Sequence, residues 1–428
     1  MDLSNIDALA PDELRAAERE LASLYARQLR NNARLDLTRG KPSEAQLELS
    51  AALDGILGGD YRAADGTDTR GYGGLDGLPE AKALAAAWLE LPVSQVLVGG
   101  NSSLELMYSY LDHACRFGVA GEGSAWRDQT ETVRFICPVP GYDRHFTVCE
   151  RLGIEMVTVP MCGDGPDMDA VETLVREDPA IRGIWCVPKY SNPTGDVYSD
   201  AVVARIAGLG KTAHETFRVI WDNAYAVHYL TDAQAQIANI MTLASQAGTA
   251  DSIVLIASTS KVTFAGAGIA FLGATEANLT CFKGYLDAMT IGPDKVNQLR
   301  HVKFLKDMPT VAKHMRRHRE ILAPKFACVQ SHLDQGLQEL GRWTRPEGGY
   351  FVSFDARPGL ARTIVRMAAD AGVKLTRAGA AFPHGNDPED SNLRLAPSYP
   401  PLEEVDRAMS VFVTCVQLAT VRQRLEQA

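Results

Sequence analysis

The sequence predicts an α/β protein of two domains: a large domain with a mostly parallel seven-stranded sheet between helices, and a smaller α+β domain. Three observations support this prediction. The chain has 428 residues, more than one compact core usually holds. Seven short apolar runs alternate with amphipathic segments before about residue 275, a pattern typical of parallel sheets. After about residue 310 a long charged helical segment is followed by shorter strand-like and helical segments.

The first half of the chain contains the predicted strands. A helix is predicted over 11–29, where Leu14, Ala17 and Leu21 recur at helical spacing. The Gly-, Asp- and Arg-rich stretch over 58–78 is predicted to be a loop. The strands of the sheet are then the runs QVLVGG, RFICPVP, EMVTVP, GIWCVP, RVIWDN, SIVLIAST and GIAFLGA.

The second half predicts the smaller domain. Its elements are the helix TVAKHMRRHREILAPKFACVQSHLDQGLQEL, the segment GGYFVSFD, a helix near 361–371, VKLTRAG, NLRLAPS and a closing helix. We place the N-terminal arm and part of the small domain at residues 1–60. The large domain is expected at 61–308, and the rest of the small domain at 309–428.

Composition and charge exclude several classes of function. The net charge is −10, whereas nucleic-acid binding needs a basic surface. The polar, acidic N-terminus does not resemble a signal peptide. The apolar stretch from Ile253 to Gly273 contains a lysine, several hydroxyl residues and three glycines, which favours two strands and a turn over a membrane helix. We therefore expect a cytoplasmic protein that binds neither nucleic acid nor membranes.

The cysteines indicate neither disulfides nor a metal site. They are scattered and form no C-x-x-C pair, and several lie in apolar runs, so we expect buried free thiols in a reducing compartment. They are Cys115, Cys137, Cys149, Cys162, Cys186, Cys281, Cys328 and Cys415.

Polar and aromatic side chains follow four of the predicted strands. RFICPVPG leads to Tyr142, GIWCVPKYS to Asn192, and RVIW to Asp222 and then Tyr225. SIVLIAST contains Ser258 and leads to Ser260 and Lys261. The carboxyl ends of parallel strands share one edge of a sheet, where ligands bind. These residues together therefore predict a site.

Lys261 and Asp222 are the two candidates with the clearest chemistry. Lys261 is the only charged residue between Ile253 and Gly273; burial would lower its pKa and make it an amine nucleophile. The alternative is a loop lysine that extends to solvent. Asp222 at a strand end could hold the protonated nitrogen of a pyridoxal-5'-phosphate (PLP) ring, and the alternative is an ordinary turn aspartate.

A phosphate-binding segment is predicted in VLVGGNSSLELM. Asn101, Ser102 and Ser103 lie between a strand and an amphipathic helix, where free backbone N–H groups and the helix dipole attract anions. Helix capping by Asn101 or Ser102 explains the same residues, and the two roles are compatible. The chain has neither G-x-G-x-x-G nor a P-loop motif, which argues against a dinucleotide or a nucleoside triphosphate.

Taken together, these motifs resemble the fold-type I PLP enzymes, and among them the class I aminotransferases related to aspartate aminotransferase. They are most similar to a divergent branch that includes aspartate aminotransferases and MocR-type aminotransferase domains. The resemblance extends from about residue 35 to 400, through the phrases LTRGKPS, YGGLDG, CPVPGYDRHF, SNPTG, WDNAYAVH, STSK and NLRLAPS.

The resemblance implies a role for each matching residue around the cofactor ring. Lys261 matches the Schiff-base lysine that also moves the proton between the amino-acid Cα and the cofactor. Asp222 matches the partner of the pyridine nitrogen, and His145 the residue that supports this aspartate. Tyr142 matches the aromatic residue stacked on the ring. Asn192 and Tyr225, like their family counterparts, would donate to the ring 3'-oxygen.

The resemblance also implies phosphate and substrate contacts. Ser258, Ser260, Ser103 and the amides of Asn101 and Ser102 would bind the phosphate. Tyr72 matches a tyrosine donated to that phosphate by the other subunit, which implies a homodimer with shared active sites. Arg394 matches the arginine that binds the substrate α-carboxylate through a bidentate contact, with the amide of Gly40 nearby.

One position departs from the family pattern. Gly268 stands where the family usually has an arginine on the phosphate. The phosphate dianion must therefore be neutralised by another group, or held by neutral donors only.

The expected activity is PLP-dependent exchange of an amino group between aspartate and 2-oxoglutarate. An acidic substrate needs a second cation, for which we favour Arg39 beside Gly40, over Lys41, Lys295, Arg300 and Arg377. Two alternatives remain. One is another PLP reaction, such as that of a C–S lyase, a decarboxylase or an aminotransferase for neutral or aromatic amino acids, since fold does not decide function. The other is a non-catalytic MocR-like ligand-sensing domain.

Overall fold

The computed structural model describes residues 3, 5–31 and 34–427; the first and last residues of the expected domain ranges, 1 and 428, lie outside them. Its α-helices are α1 (Pro11–Arg30), α2 (Glu44–Glu48), α3 (Pro79–Leu89), α4 (Ser103–Arg116), α5 (Trp126–Gln129), α6 (Asp143–Leu152), α7 (Met168–Glu177), α8 (Asp200–Gly208), α9 (Ile240–Ala247), α10 (Glu276–Met289), α11 (Lys295–Leu305), α12 (Met308–Gly336), α13 (Ala361–Asp370) and α14 (Leu402–Gln427).

The strands confirm the sequence pattern, since each of the seven apolar runs overlaps one. They are β1 (Leu35–Asp36), β2 (Val96–Val98), β3 (Arg134–Val139), β4 (Glu155–Pro160), β5 (Ile181–Cys186), β6 (Arg218–Asp222), β7 (Ile253–Ser258), β8 (Ala270–Gly273), β9 (Gly341–Trp343), β10 (Val352–Ala356), β11 (Val373–Lys374) and β12 (Asn392–Leu395).

The central sheet has seven strands in the order β2-β8-β7-β6-β5-β3-β4. Strands β4, β3, β5, β6 and β7 pair in parallel. Strand β8 is antiparallel to both β7 and β2, so β2 runs in the same direction as the parallel strands. The expected mostly parallel sheet is confirmed, and six strands end at a common edge.

Both faces of this sheet are buried. Neighbouring residues of β3 alternate between two hydrophobic cores: Ile136 belongs to one, and Phe135 and Cys137 to the other. A strand covered on both faces needs apolar residues at every position. This explains why the strand sequences are continuous apolar runs rather than alternating ones.

Two smaller sheets lie in the rest of the chain. Strand β10 is the centre of a three-stranded antiparallel sheet with β9 and β12. Strand β11 pairs in parallel with β1, with Leu35 opposite Val373, so residues from the beginning of the chain join its last third. Helix α14 packs along α1 and α12. Among the described helices, none has both the length and the apolar character that crossing a membrane requires.

Candidate active site

Four of the predicted site residues lie at one edge of the central sheet. Asp222 is the last residue of β6 and Ser258 the last residue of β7. Tyr142 follows β3 at the start of α6, and Asn192 lies in the loop after β5. Because these strands are parallel neighbours, their carboxyl ends bring the four segments together.

Asp222 forms a buried pair with His145. The Nε2 atom of His145 lies 3.0 Å from Asp222 Oδ2, and only 3% of the aspartate side chain is exposed. The imidazole is stacked on the Trp185 ring, with centroids 4.1 Å apart and an interplanar angle of 6°. Among the described residues, Asp222 Oδ1 has no hydrogen-bond partner although it is buried. One carboxylate oxygen is thus engaged, and the other is available to a ligand.

Lys261 lies at the start of the loop between β7 and β8. Its Nζ lies 4.8 Å from the centre of the Tyr225 ring. Burial lowers the pKa of Lys261, and the charge of Asp222 opposes this effect only in part. The backbone carbonyl of Lys261 accepts hydrogen bonds from Tyr350 Oη and His228 Nε2, each 3.2 Å long. The lysine therefore has the lowered pKa that the sequence predicted, on a backbone fixed by two side chains.

Two tyrosines border the same space. Burial raises the pKa of Tyr142 to about 12, and the charge of Asp222 adds to this effect. Burial likewise raises the pKa of Tyr225 well above its ordinary value. Both phenols are therefore protonated at neutral pH and can donate a hydrogen bond to a ligand. The Tyr142 ring meets the His145 ring edge-on at a centroid distance of 5.0 Å.

Arg394 reaches the site from β12 in the smaller sheet. Its Nη1 donates to Asp143 Oδ1 at 2.9 Å and to Asn192 Oδ1 at 3.2 Å. The guanidinium lies 4.8 Å from the centre of the Phe351 ring. A Cβ added to Gly40 would lie 2.0 Å from Phe351 Cζ, so only glycine fits against that ring. Gly40 and Arg394 therefore both lie against the Phe351 ring.

The predicted phosphate-binding residues also converge. Ser258 Oγ donates to Ser260 Oγ at 3.1 Å, and Ser260 Oγ donates to the Asn101 carbonyl at 3.1 Å. Ser102 caps α4 by accepting from the Glu105 amide at 3.3 Å. Capping by Asn101, the other possibility, is not observed, because its Nδ2 donates to a carbonyl of the loop before β8.

Gly268 has a steric reason to lack a side chain. A Cβ at this position would lie 2.9 Å from Thr259 Oγ1 and 3.0 Å from the Ser260 amide nitrogen. Asn297 Nδ2 donates to the Gly268 carbonyl at 2.9 Å and fixes this backbone. The arginine of the family pattern could not be accommodated here without moving the loop that carries Lys261.

Two predicted residues lie apart from the buried centre. The Tyr72 residue is 87% exposed. The Arg39 side chain is also exposed, and its Nε lies 3.7 Å from Asp36 Oδ2. Neither residue contacts the buried centre within the described part of the chain.

Sequence reasoning missed several residues of the site. Asp143 and Phe351 contact Arg394, Trp185 stacks on His145, and Tyr350 and His228 bind the Lys261 backbone. Asp143 directly follows the predicted site residue Tyr142 in sequence, and this adjacency could have identified it. The others belong to ordinary apolar or aromatic segments, so only their tertiary contacts distinguish them.

The cysteine prediction needs one correction. All eight cysteines are free, but Cys162 is exposed and Cys281 and Cys328 are only partly buried. Cys162 follows edge strand β4, where one side of the chain faces solvent. Cys328 approaches His332 and Asp406 closely enough for a metal ion; however, both donate to the same Asp406 oxygen, so hydrogen bonding already accounts for this cluster.

Comparison with known proteins agrees with this geometry. The family model described as aspartate amino-transferase matches residues 9–428. The aspartate aminotransferase of Corynebacterium glutamicum ATCC 13032 is 48% identical over 391 residues, which cover 91% of this chain and 90% of that protein. A crystal structure of an aspartate transaminase from the same strain has a TM-score of 0.94 at 44% identity and covers 99% of both chains.

A more distant structure shows the same fold. It is LysN, the α-aminoadipate aminotransferase of Thermus thermophilus, in complex with N-(5'-phosphopyridoxyl)-L-leucine. It has a TM-score of 0.74 at 22% identity and covers 94% of this chain and 95% of its own. From the family match, the close relative and the site geometry, we conclude that this chain belongs to the aspartate aminotransferase family, a fold-type I aminotransferase family, as its motifs predicted.

Proposed function

We propose that this aminotransferase uses PLP, bound at Lys261, to transfer the amino group of aspartate to 2-oxoglutarate. The buried Asp222 Oδ1, which has no partner among the described residues, is the observation that carries the proposal. An unpaired buried carboxylate oxygen is costly. A protonated pyridine nitrogen is the partner that its charge and position fit. Aspartate as the amino donor is supported by the relative at 48% identity, which is an aspartate aminotransferase.

The residues around Asp222 would hold the cofactor. His145 fixes the aspartate from the side opposite the ligand, since it engages Oδ2. Asn192 and Tyr225 would donate to the ring oxygen, and Tyr142 would stack on the ring. When bound, PLP supplies an electron sink that makes the Cα–H bond of the amino acid acidic.

The phosphate would lie at the N-terminus of α4. The helix dipole and free amides at Asn101, Ser102 and Ser103 favour an anion there, and the Ser258 and Ser260 hydroxyls add neutral donors. Because Gly268 has no room for a side chain, this set of donors replaces the arginine contact. Tyr72, exposed in a single chain, would reach the phosphate of a second subunit in a homodimer.

Lys261 would move the proton. Burial lowers its pKa and so favours the neutral amine, the form that can accept the proton from Cα and return it to the cofactor side. The hydrogen bonds from Tyr350 and His228 to the Lys261 carbonyl hold the backbone while the side chain swings. The Lys261 backbone can thus stay in place while its side-chain amine changes position.

Arg394 would bind the substrate α-carboxylate, and Arg39 its side-chain carboxylate. Lys295 and Arg300 each donate to a backbone carbonyl, whereas Arg39 has an exposed side chain and only a 3.7 Å contact with Asp36. Compared with Lys295 and Arg300, Arg39 therefore has more N–H groups free to bind a ligand. Replacing Arg39 by alanine should raise the KM for aspartate at least tenfold and leave that for alanine unchanged; equal effects on both would remove this assignment.

We also propose the domain division expected from the sequence, with a large domain over 61–308. Residues 1–60 would contribute an arm and part of the small domain, because β1 pairs with β11 and α1 packs on α14. The small domain is completed by 309–428. Arg394 then belongs to one domain, and Lys261 and Asp222 belong to the other.

The proposal is tested by the absorption spectrum of the purified protein with PLP. Adding aspartate should remove the visible band, and adding 2-oxoglutarate should restore it. Lys261→Ala should lack both changes. Lys189→Ala is the matched control, since Lys189 is another lysine whose pKa is lowered by burial.

Other outcomes would point elsewhere. A band that responds only to a neutral or aromatic amino acid would keep the fold and cofactor and change the substrate. Release of ammonia from a single amino acid would indicate a lyase. Bound PLP without turnover of any amino acid would indicate a ligand-sensing domain. No band in the wild-type protein would contradict the role of Lys261.

A further inference from the structure

We propose that Asp143 competes with the substrate carboxylate for Arg394 and so sets how tightly the substrate site binds carboxylates. Its carboxylate pairs with Arg394 and gives up that position to the carboxylate of the incoming amino acid or oxo acid. The inference rests on the proposed role of Arg394 as the α-carboxylate ligand. It concerns a residue that sequence motifs did not identify.

The contact between Asp143 and Arg394 is a single-point contact. Arg394 Nη1 donates to Asp143 Oδ1 at 2.9 Å and also to Asn192 Oδ1 at 3.2 Å. Arg394 Nε is buried and has no partner within the described residues. A guanidinium binds a carboxylate best through two parallel N–H groups. A substrate carboxylate can therefore make the two-point contact that Asp143 does not make.

The two partners differ in freedom of movement. The Arg394 side chain is 9% exposed, stacked on Phe351 and carried by the middle of a strand. The Asp143 side chain is 34% exposed and is the first residue of α6. Turned away from the arginine, its carboxylate would be solvated and close to the positive end of the helix. Displacement should therefore move the aspartate and leave the arginine in place.

The ion pair also gives the nearly buried Arg394 guanidinium a counterion. A guanidinium without a counterion is costly to bury, and Asp143 supplies the counterion until the substrate does. Only a ligand with a carboxylate can take over this role. A ligand without one leaves the Asp143 pair intact and gains nothing from Arg394. Asp143 thus lowers the affinity of the site for carboxylate ligands and leaves its affinity for neutral molecules of similar size unchanged.

Binding of succinate to the PLP-loaded enzyme tests the inference. Succinate has two carboxylates and no amino group, so it binds without reacting, and calorimetry measures its Kd. Asp143→Asn removes the competing charge and keeps the shape, so the Kd should fall about two- to fivefold, the range expected for a partly exposed ion pair. The Kd for succinamide, which has no carboxylate, should not change. Asp169→Asn is the matched control, because Asp169 is an ion-paired aspartate in the first turn of α7.

Steady-state kinetics provide a second reading. In Asp143→Asn the KM for aspartate should fall, and kcat should not rise, because the change acts on the ligand-free enzyme. Unchanged or weaker succinate binding in this variant would overturn the inference, since it would show that Asp143 only positions Arg394. Arg394→Ala separates this failure from a failure of the proposed function. If that variant binds succinate as well as the wild type, the role of Arg394 is wrong too.

Discussion

His145 and Asp222 form a nearly solvent-free pair, with 3.0 Å between Nε2 and Oδ2. The imidazole is held flat against Trp185, so its orientation is set by packing as well as by the carboxylate. This pairing uses one oxygen of Asp222, while the other, Oδ1, is buried without a hydrogen-bond partner among the described residues. Under the proposed function, one carboxylate thus serves both a structural contact and a cofactor contact.

Removing the charge of Asp222 should disable the enzyme without unfolding it. Asp222→Asn keeps the size of the side chain and loses the anion that would balance a protonated ring nitrogen. We expect kcat/KM to fall on the order of 100- to 1000-fold, together with weaker retention of PLP on gel filtration. Activity within a few-fold of the wild type would contradict the proposed role.

Replacing His145 should cost stability as well as activity. His145→Ala leaves a buried carboxylate without its partner, so the free energy of unfolding should fall by about 2–3 kcal/mol. Urea unfolding of the cofactor-free protein measures this without a contribution from bound ligand. The control is His332→Ala, which removes a more exposed His–Asp pair and should cost less than about 1 kcal/mol. Equal losses would argue against burial as the cause.

Buried histidines should make the protein sensitive to acid. Burial lowers the pKa of His228 and of His318 to about 3, from an ordinary value of 6.5. Between pH 6.5 and about pH 3, these histidines bind protons in the unfolded chain but not in the folded protein. The free energy of unfolding therefore falls as the pH falls. Each histidine should contribute about 1.4 kcal/mol per pH unit within this window.

Urea midpoints at a series of pH values from 7 to 4 test this effect. In His318→Gln the free energy of unfolding should fall less steeply with pH than in the wild type. The difference in slope should equal the contribution of one histidine. Parallel declines for the two proteins would show that His318 is protonated in the folded state.

Adding even a small side chain at Gly268 should destabilise the folded protein. In Gly268→Ala the new Cβ would press on Thr259 and on the backbone of Ser260, so we expect a loss of about 1–3 kcal/mol and weaker PLP binding. Gly266→Ala is the matched control in the same loop, because its Cβ would meet no atom within 4 Å. Thermal unfolding and PLP titration of both variants check the prediction. A Gly268→Ala variant as stable as Gly266→Ala would show that the loop can relax.

The seven strands, the long helices and the residues at the strand ends could be predicted from sequence. These features depend on local order: an apolar run forms a strand covered on both faces, and the residue that follows it must lie at the sheet edge. Lys261, Asp222, Asn192 and Tyr142 could therefore be assigned to one site from sequence patterns. The direction of β8 could not, because an apolar run has no orientation until its neighbours are known.

The contacts that complete the site follow from tertiary packing alone. Asp143 and Arg394 are 251 residues apart, and no local pattern links an aspartate at the start of a helix to an arginine in another sheet. The steric need for glycine at 268 likewise depends on the position of Thr259 and Ser260, not on its own neighbours in sequence. Such contacts arise between distant segments, where side-chain shape and buried charge, rather than periodicity, select the partner.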